Sequence, residues 1–172
     1  TQTLLSVFQA ANFSKPILVE QQCEPDPDFP TVAFPNPEEP GAMDLAINLA
    51  ISQNGHLVIA NDPDADRCAV AAKDSAGNWR TLRGDELGIL LGHYISKTEI
   101  VAGRTFATTI VSSSALAKIA KNCGADFQET LTGFKYLSKI NNLAFGYEEA
   151  IGYCVNPSKV NDKDGISAAL KI

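Results

Sequence analysis

One stretch of the chain decides the fold: residues 105–129 read TFATTIVSSSALAKIAKNCGADFQE. The β-branched run Thr105–Val111 predicts a buried strand, and Ser112–Ser114 offer side-chain oxygens that cap the start of a helix. Gly124 is a typical stop signal for that helix, and Ala125–Glu129 is again strand-like. A strand, a helix and a strand joined by short loops form a βαβ unit, whose strands are parallel because the helix carries the chain back across the sheet.

The same alternation extends to both sides of this unit. Further strands are predicted at Lys15–Glu20, His56–Ala60, Cys68–Lys73, Trp79–Leu82, Leu143–Tyr147 and Tyr153–Val155, and helices at Leu4–Ala11, Met43–Ser52, Asp85–Ile95, Gly133–Ile140 and Asp164–Ile172. Residues 23–41 hold six prolines and predict a stiff, extended connection. Ser75–Asn78 predicts a turn, which makes Trp79–Leu82 the returning strand of a hairpin with Cys68–Lys73. A break near residues 80–84 divides the alternation. We therefore expect an α/β fold of two small βαβ-type domains, 1–82 and 83–172, with mixed, mostly parallel sheets. Each outer end falls at or within a helix, so we expect a segment of a longer protein.

Composition excludes several classes of function. The chain of 172 residues carries a net charge of -6, and its 14 basic residues form no stripe, which disfavours binding to nucleic acid or to an anionic membrane. No run approaches the roughly 18 apolar residues of a membrane-spanning helix. The four cysteines lack a metal-binding spacing, which favours reduced thiols; they are Cys23, Cys68, Cys123 and Cys154. We expect a soluble, cytoplasmic protein.

An acidic loop follows the strand that ends at Ala60. Residues 61–67 read NDPDADR, which concentrates three carboxylates at alternate positions, and a hard divalent cation such as Mg²⁺ would relieve their repulsion. A calcium-binding EF-hand loop is excluded, because its sixth and twelfth positions would be Arg67 and Lys73 in place of glycine and glutamate. An aspartyl-phosphate phosphatase uses a similar Asp-x-Asp but leaves the third aspartate and Arg67 without a role. A solvated acidic turn remains the simplest alternative.

Three further loops carry polar groups at the ends of predicted elements. Residues 146–152 read GYEEAIG, in which glycines bracket two glutamates that can accept hydrogen bonds from a polyhydroxylated ligand. Residues 130–135 read TLTGFK and offer backbone N–H groups and a cation. Residues 161–165 read NDKDG and place a lysine between acids. Each loop alone is more typical of a turn than of a catalytic site.

Together and in this order, the loops resemble those of the α-D-phosphohexomutases, the family of phosphoglucomutases and phosphomannomutases. DPDADR resembles the family's metal-binding loop, TGFK its third-domain loop and GYEEAIG its sugar-binding loop, while PNPEEPGAMD resembles a stretch of the second domain. The resemblance covers nearly the whole chain. It is strongest to the branch that contains the phosphoglucomutase-2-like and phosphopentomutase-type enzymes.

The resemblance implies a role for each candidate residue. Mg²⁺ would be held by Asp62, Asp64 and Asp66. The catalytic residues would be Arg67, in contact with the phosphoryl group or its serine loop, and Lys163, in proton transfer. Substrate would be bound by Thr132, Gly133, Lys135, Glu148 and Glu149, the two glutamates orienting sugar hydroxyls. Ala150 stands where the family's sugar loop usually has serine, which removes one hydroxyl contact and leaves the sugar open.

By the same resemblance, the reaction moves phosphate between C1 and the terminal hydroxyl of glucose, mannose or ribose, through a phosphoserine and a bisphosphorylated sugar. The family's serine loop and phosphate-binding domain, which lie in its first and fourth domains, are not among these residues. The chain would then carry part of the second domain, incomplete at its N-terminal end, and most of the third, incomplete at its C-terminal end. A phosphosugar substrate and the two other domains would be its partners, and the chain would be inactive alone. The alternative is a non-catalytic module of the same fold that binds metal or sugar.

Overall fold

The computed structural model describes residues 1–172 as a mixed α/β structure with two sheets. The helices are α1 Gln2–Ala10, α2 Asp44–Ser52, α3 Gly84–Thr98, α4 Ala115–Cys123, α5 Phe134–Leu137 and α6 Gly165–Leu170. The strands are β1 Leu57–Ala60, β2 Ala69–Lys73, β3 Trp79–Thr81, β4 Thr105–Thr109, β5 Asp126–Thr130, β6 Leu143–Glu148 and β7 Gly152–Cys154. The predicted α/β class is confirmed. None of the helices combines the length and the hydrophobicity needed to cross a membrane.

The second sheet has the order β5-β4-β6-β7, and its core is the predicted βαβ unit. Strand β4 pairs in parallel with both β5 and β6, and only β7 runs antiparallel. Helices α3 and α4 pack on the face where the rings of Phe106 and Phe145 meet edge to face, with centroids 5.9 Å apart. Glycine at position 88 is required there, because a Cβ would lie 2.6 Å from the Tyr147 ring.

The first sheet is the antiparallel part of the expected mixed arrangement: the predicted hairpin forms, and β1 pairs with its first strand. Its order is β1-β2-β3, and both strand pairs are antiparallel. The reason is the length of the connections: residues 61–68 and 74–78 are too short to hold the crossover helix that parallel neighbours need. The carboxylate of Asp74 closes the second turn by accepting the N–H groups of Ala76 and Asn78, each at 2.9 Å.

The predicted strand Lys15–Glu20 is wrong. No strand lies between α1 and α2; only a short 3₁₀ helix forms, at Glu20–Gln22. Pro16 cannot donate to a ladder, the segment has no neighbouring strand with which to pair, and Ile17 is 63% exposed. A groove of about 750 Å³ separates this segment from β1. The proline-rich residues 23–41 hold no helix or strand, as expected, but they form a series of turns and not the extended connection that was predicted.

The two halves of the chain share one hydrophobic core. A single cluster of 22 buried residues includes residues from both sides of position 82. Backbone hydrogen bonds also cross between the halves, from Cys68 N–H to the Ile151 carbonyl and from Gly165 N–H to the Ala65 carbonyl, both at 3.0 Å. The acidic loop after β1 therefore lies against the loops that follow β6 and β7. Because the core is shared, the division at 82/83 stays a prediction.

All four cysteines are free, as expected.

Candidate functional site

The acidic loop brings its three carboxylates together. Ala65, with a φ of 58°, turns the chain sharply, and its N–H donates to the Asp62 carbonyl at 3.0 Å. As a result, one oxygen from each of Asp62, Asp64 and Asp66 lies within 4.8 Å of the others. Asp62 is buried, Asp66 is half-buried and Asp64 is exposed. Three hard oxygen donors in one loop fit a divalent cation such as Mg²⁺.

Arg67 is tied to the acidic loop that precedes it. Its Nε donates to Oδ2 of Asp62 at 2.7 Å, and its backbone N–H donates to Oδ1 of the same carboxylate at 3.0 Å. Burial raises the pKa of Asp62, but the hydrogen bonds and charge of Arg67 outweigh burial and lower that pKa overall. The guanidinium also donates through Nη1 to Oδ1 of Asn36, at 3.3 Å. The Arg67 side chain is therefore held by both the acidic loop and the proline-rich segment that contains Asn36.

Lys163 approaches the same carboxylates from the loop before α6. Its Nζ lies 2.9 Å from Oδ2 of Asp66 and 5.7 Å from the centre of the Phe134 ring. Burial lowers the pKa of Lys163, but the hydrogen bond and charge of Asp66 outweigh burial and raise it. The side chain lies across Gly152, where a Cβ would come 2.4 Å from Lys163 Cδ. Lys163 is thus held as a charged ammonium beside the acidic loop.

The two glutamates of the glycine-bracketed loop are each held through one oxygen. Oε1 of Glu148 accepts the Gly133 N–H at 2.7 Å. Oε2 of Glu149 lies 2.8 Å from the Ser112 hydroxyl and 3.1 Å from the Thr109 hydroxyl. The other oxygen of each carboxylate has no protein hydrogen bond, so two acceptors remain for a ligand. Ile151, in the same loop, has a φ of 53°, which is unusual for a β-branched residue and indicates a constrained backbone.

The third predicted loop reaches the site mainly through its backbone. Gly133 adopts a φ of 119°, which glycine tolerates, and this conformation accompanies the N–H bond to Glu148. Thr132 and Lys135 are exposed on either side of it. The Lys135 ammonium lies 5.1 Å from the centre of the Tyr136 ring and makes no ion pair with the acidic loop. Of the three predicted residues of this loop, Gly133 therefore contacts the site, whereas Thr132 and Lys135 make no contact with its carboxylates.

Several residues of the site were not predicted from the sequence. Ser112 was expected to cap α4, but its hydroxyl turns to Glu149, and it is Ser113 that accepts the Ala115 N–H, at 3.3 Å. Thr109 and Asn36 were missed because a strand terminus and a proline-rich segment carry no local signal of contact with a distant loop. The available signal for Thr109 was its place near the carboxyl end of a predicted strand, where open α/β sheets place ligands.

Two models of one known protein family match the chain. Residues 1–77 match the model described as "Phosphoglucomutase/phosphomannomutase, alpha/beta/alpha domain II", and residues 83–172 match that of domain III. The chain belongs to this family. The resemblance inferred from the loop motifs is therefore confirmed for the α-D-phosphohexomutases, with domains II and III as the matching parts.

Several members of the phosphohexomutase family are close in sequence. The "Probable phosphomannomutase" of Haemophilus influenzae is 52% identical over 169 residues, covering 98% of this chain and 35% of that protein. The "Phosphoribomutase" of Saccharomyces cerevisiae is 43% identical over 171 residues, covering 90% and 27%. A crystal structure of a phosphoglucomutase/phosphomannomutase family protein from Burkholderia thailandensis shares the fold, with a TM-score of 0.77, 18% identity and coverage of 99% and 36%. The chain spans about a third of the length of the curated relatives it matches.

Proposed function

We propose that this chain is the metal- and sugar-binding part of a phosphosugar mutase. The full-length enzyme would interconvert the 1-phosphate and terminal phosphate of an aldose, through a phosphoserine and a bisphosphorylated sugar. The observation that carries the proposal is the convergence of Asp62, Asp64 and Asp66 with Arg67 and Lys163 at one junction, beside two glutamates that each keep a free oxygen. The names of the relatives, which include phosphomannomutase, phosphoribomutase and phosphoglucomutase, agree with it.

The acidic loop is the proposed magnesium site. Its carboxylate oxygens are the ligands that Mg²⁺ prefers, and when bound the ion would neutralise charge on a transferring phosphoryl group. Arg67 would bind a phosphoryl oxygen, because a guanidinium offers several N–H donors in a fixed plane. Its bond to Asp62 uses Nε and leaves other donors for the substrate. The residues of this loop would thus hold metal and phosphate side by side.

Sugar binding is assigned to the loops that follow β5 and β6. Glu148 and Glu149 would accept hydroxyl protons through their free oxygens, and Thr132, Gly133 and Lys135 would border the ligand. Lys163, held charged by Asp66, would donate a proton to the oxygen that leaves the phosphoryl group. Because the ammonium must first lose its proton before it can act as a base, we assign it the acid step.

The proposal extends to the rest of the molecule. Domains I and IV of the same protein would supply the reactive serine and the clamp for the substrate phosphate, so the 172-residue chain would be inactive alone. We propose the division between domains II and III at 82/83. The free cysteines and acidic charge suit a cytoplasmic enzyme.

The test is conversion of sugar phosphates by the full-length protein. Glucose 1-phosphate, mannose 1-phosphate and ribose 1-phosphate are each supplied with Mg²⁺ and the matching bisphosphate, and the terminal phosphate ester is measured. We expect at least one to be converted, and the relative kcat/KM values then identify the sugar. Conversion of none of them, by a protein that still binds Mg²⁺, would instead support a non-catalytic binding module.

A further inference from the structure

A clamp of two hydroxyl groups holds one oxygen of Glu149. Ser112 Oγ lies 2.8 Å from Oε2 and also accepts the backbone N–H of Glu149, at 3.2 Å. Thr109 Oγ1 lies 3.1 Å from Oε2 and 2.8 Å from Ser112 Oγ. Ser112 therefore contacts both the main chain and the carboxylate of the same glutamate, which restricts the side chain to one orientation and leaves Oε1 without a protein hydrogen bond.

The loop that carries Ser112 is itself anchored to the start of α3. Oδ1 of Asp85 accepts the Ser113 N–H at 2.6 Å and the Tyr147 hydroxyl at 2.8 Å. Tyr147 is fully buried in β6, so this carboxylate links the loop to the centre of the sheet. The contact is close: a Cβ at Gly84 would lie 1.7 Å from the Glu149 carbonyl oxygen. The start of α3 thus touches both the loop of Ser112 and the backbone of Glu149.

We propose that Ser112 is a positioning residue that orients Glu149 for sugar binding, and that Asp85 acts through Ser113 to keep Ser112 in place. The inference rests on the proposed function, since it assigns a task around a glutamate that binds sugar there. A glutamate whose orientation is fixed before the ligand arrives loses less side-chain entropy on binding. The sugar hydroxyl then meets Oε1 in a set direction.

Removing the serine hydroxyl is expected to weaken the binding of substrate. In the full-length enzyme, Ser112→Ala should lower kcat/KM by about tenfold, the lower end for a hydrogen bond to a charged group, because Thr109 still holds Oε2. Most of that loss should be a rise in KM, because the contact is made with bound substrate and transition state alike. Ser112→Thr, which restores the hydroxyl, should recover most of the loss.

Two comparisons separate positioning from mere stability. Ser114, two residues along, is exposed and makes no capping hydrogen bond with its side chain, so Ser114→Ala is the matched control and should keep the wild-type KM. Asp85→Ala should raise KM as Ser112→Ala does, and the double variant should add little, because both act through Glu149. A purely structural loss would lower the amount of active enzyme and the apparent kcat, but not change KM.

The assay uses whichever of glucose, mannose or ribose 1-phosphate the wild-type protein converts, together with crystal structures of the wild type and Ser112→Ala. A raised KM that Ser112→Thr restores supports the proposal, and an unchanged KM in Ser112→Ala overturns it. If the wild type converts no sugar phosphate, the proposed function fails and the crystal structures decide the remaining claim. A displaced Glu149 carboxylate in Ser112→Ala then supports positioning by Ser112, and an unmoved one overturns it.

Discussion

Replacing Asp64 with asparagine distinguishes a metal site from an acidic turn. Asp64 is exposed and makes no ion pair, whereas Asp62 and Asp66 are paired with Arg67 and Lys163. The substitution therefore removes one candidate ligand without leaving a cation unpaired. Its effect on stability should change sign with Mg²⁺, which no loss of packing would produce.

The size of the effect follows from the spacing of the carboxylates. Two unit charges at the 4.8 Å limit of the cluster repel by about 0.9 kcal/mol in water and about 3.5 kcal/mol at an effective dielectric of 20. Because Asp64 is exposed, the value in water applies, and losing two such repulsions is worth about 2 kcal/mol. The attraction of the neighbouring cations for Asp64 is lost as well, so we expect a net gain of about 1 kcal/mol without metal, or about 2–4 °C in Tm.

Thermal unfolding in EDTA measures the change in stability without metal, and thermal unfolding in saturating Mg²⁺ measures the stabilisation that the bound ion adds. The wild-type Tm should rise with Mg²⁺, because an ion that binds only the folded state stabilises it, and the rise should be much smaller in Asp64→Asn. Asp28→Asn makes the same charge change at an exposed position in the proline-rich segment and should keep the full rise. The reasoning is refuted if Asp64→Asn also keeps the full rise, or if its Tm in EDTA falls below that of the wild type.

Three more predictions concern other parts of the chain. Gly152→Ala should displace Lys163 and destabilise the protein by about 1–2 kcal/mol in urea unfolding, because its Cβ would overlap that side chain; an unchanged midpoint would contradict this. Burial raises the pKa of the Cys68 and Cys154 thiols to about 12, so iodoacetamide at pH 8 should label only the other two cysteines by mass spectrometry, and rapid labelling of all four would refute the burial. Glu86→Gln should cost about 0.5–1 kcal/mol at pH 7, since its arginine partner and a helix N-terminal N–H lower the pKa of Glu86. That difference should disappear as the pH falls through the folded-state pKa, below 4.5, and a difference that persists in acid would point to another cause.

The fold was predictable where a local pattern had a partner within the chain. The unit around Thr105–Glu129 was predicted correctly because its strands are neighbours in the sheet and its helix covers them. Lys15–Glu20 has a similar apolar pattern, yet it forms no strand, because a strand needs a ladder partner that propensity cannot supply. The antiparallel hairpin of the first sheet was predictable because the turn at Ser75–Asn78 is too short for a crossover helix, and the connection length sets whether neighbouring strands run parallel.

The candidate site was predictable only in its polar loops. The three aspartates stand out because like charges at alternate positions are unusual without a partner, and the paired glutamates stand out because glycines bracket them. Nothing local marked Ser112 or Asn36, whose hydrogen bonds join residues 37 and 31 positions apart. Such contacts depend on how loops meet after folding.

The sequence by itself determined the α/β class, the acidic and glutamate loops and the family to which they belong, because periodicity, charge spacing and glycine placement are local properties. The tertiary structure alone decided that these loops meet at a single junction and which oxygen of each glutamate stays free. It also decided that Lys163 comes from a distant loop to pair with Asp66, beside the Arg67 pairs with Asp62 and Asp66. The physical reason is that hydrogen bonds and ion pairs between distant segments form only when one shared core brings the ends of both sheets together.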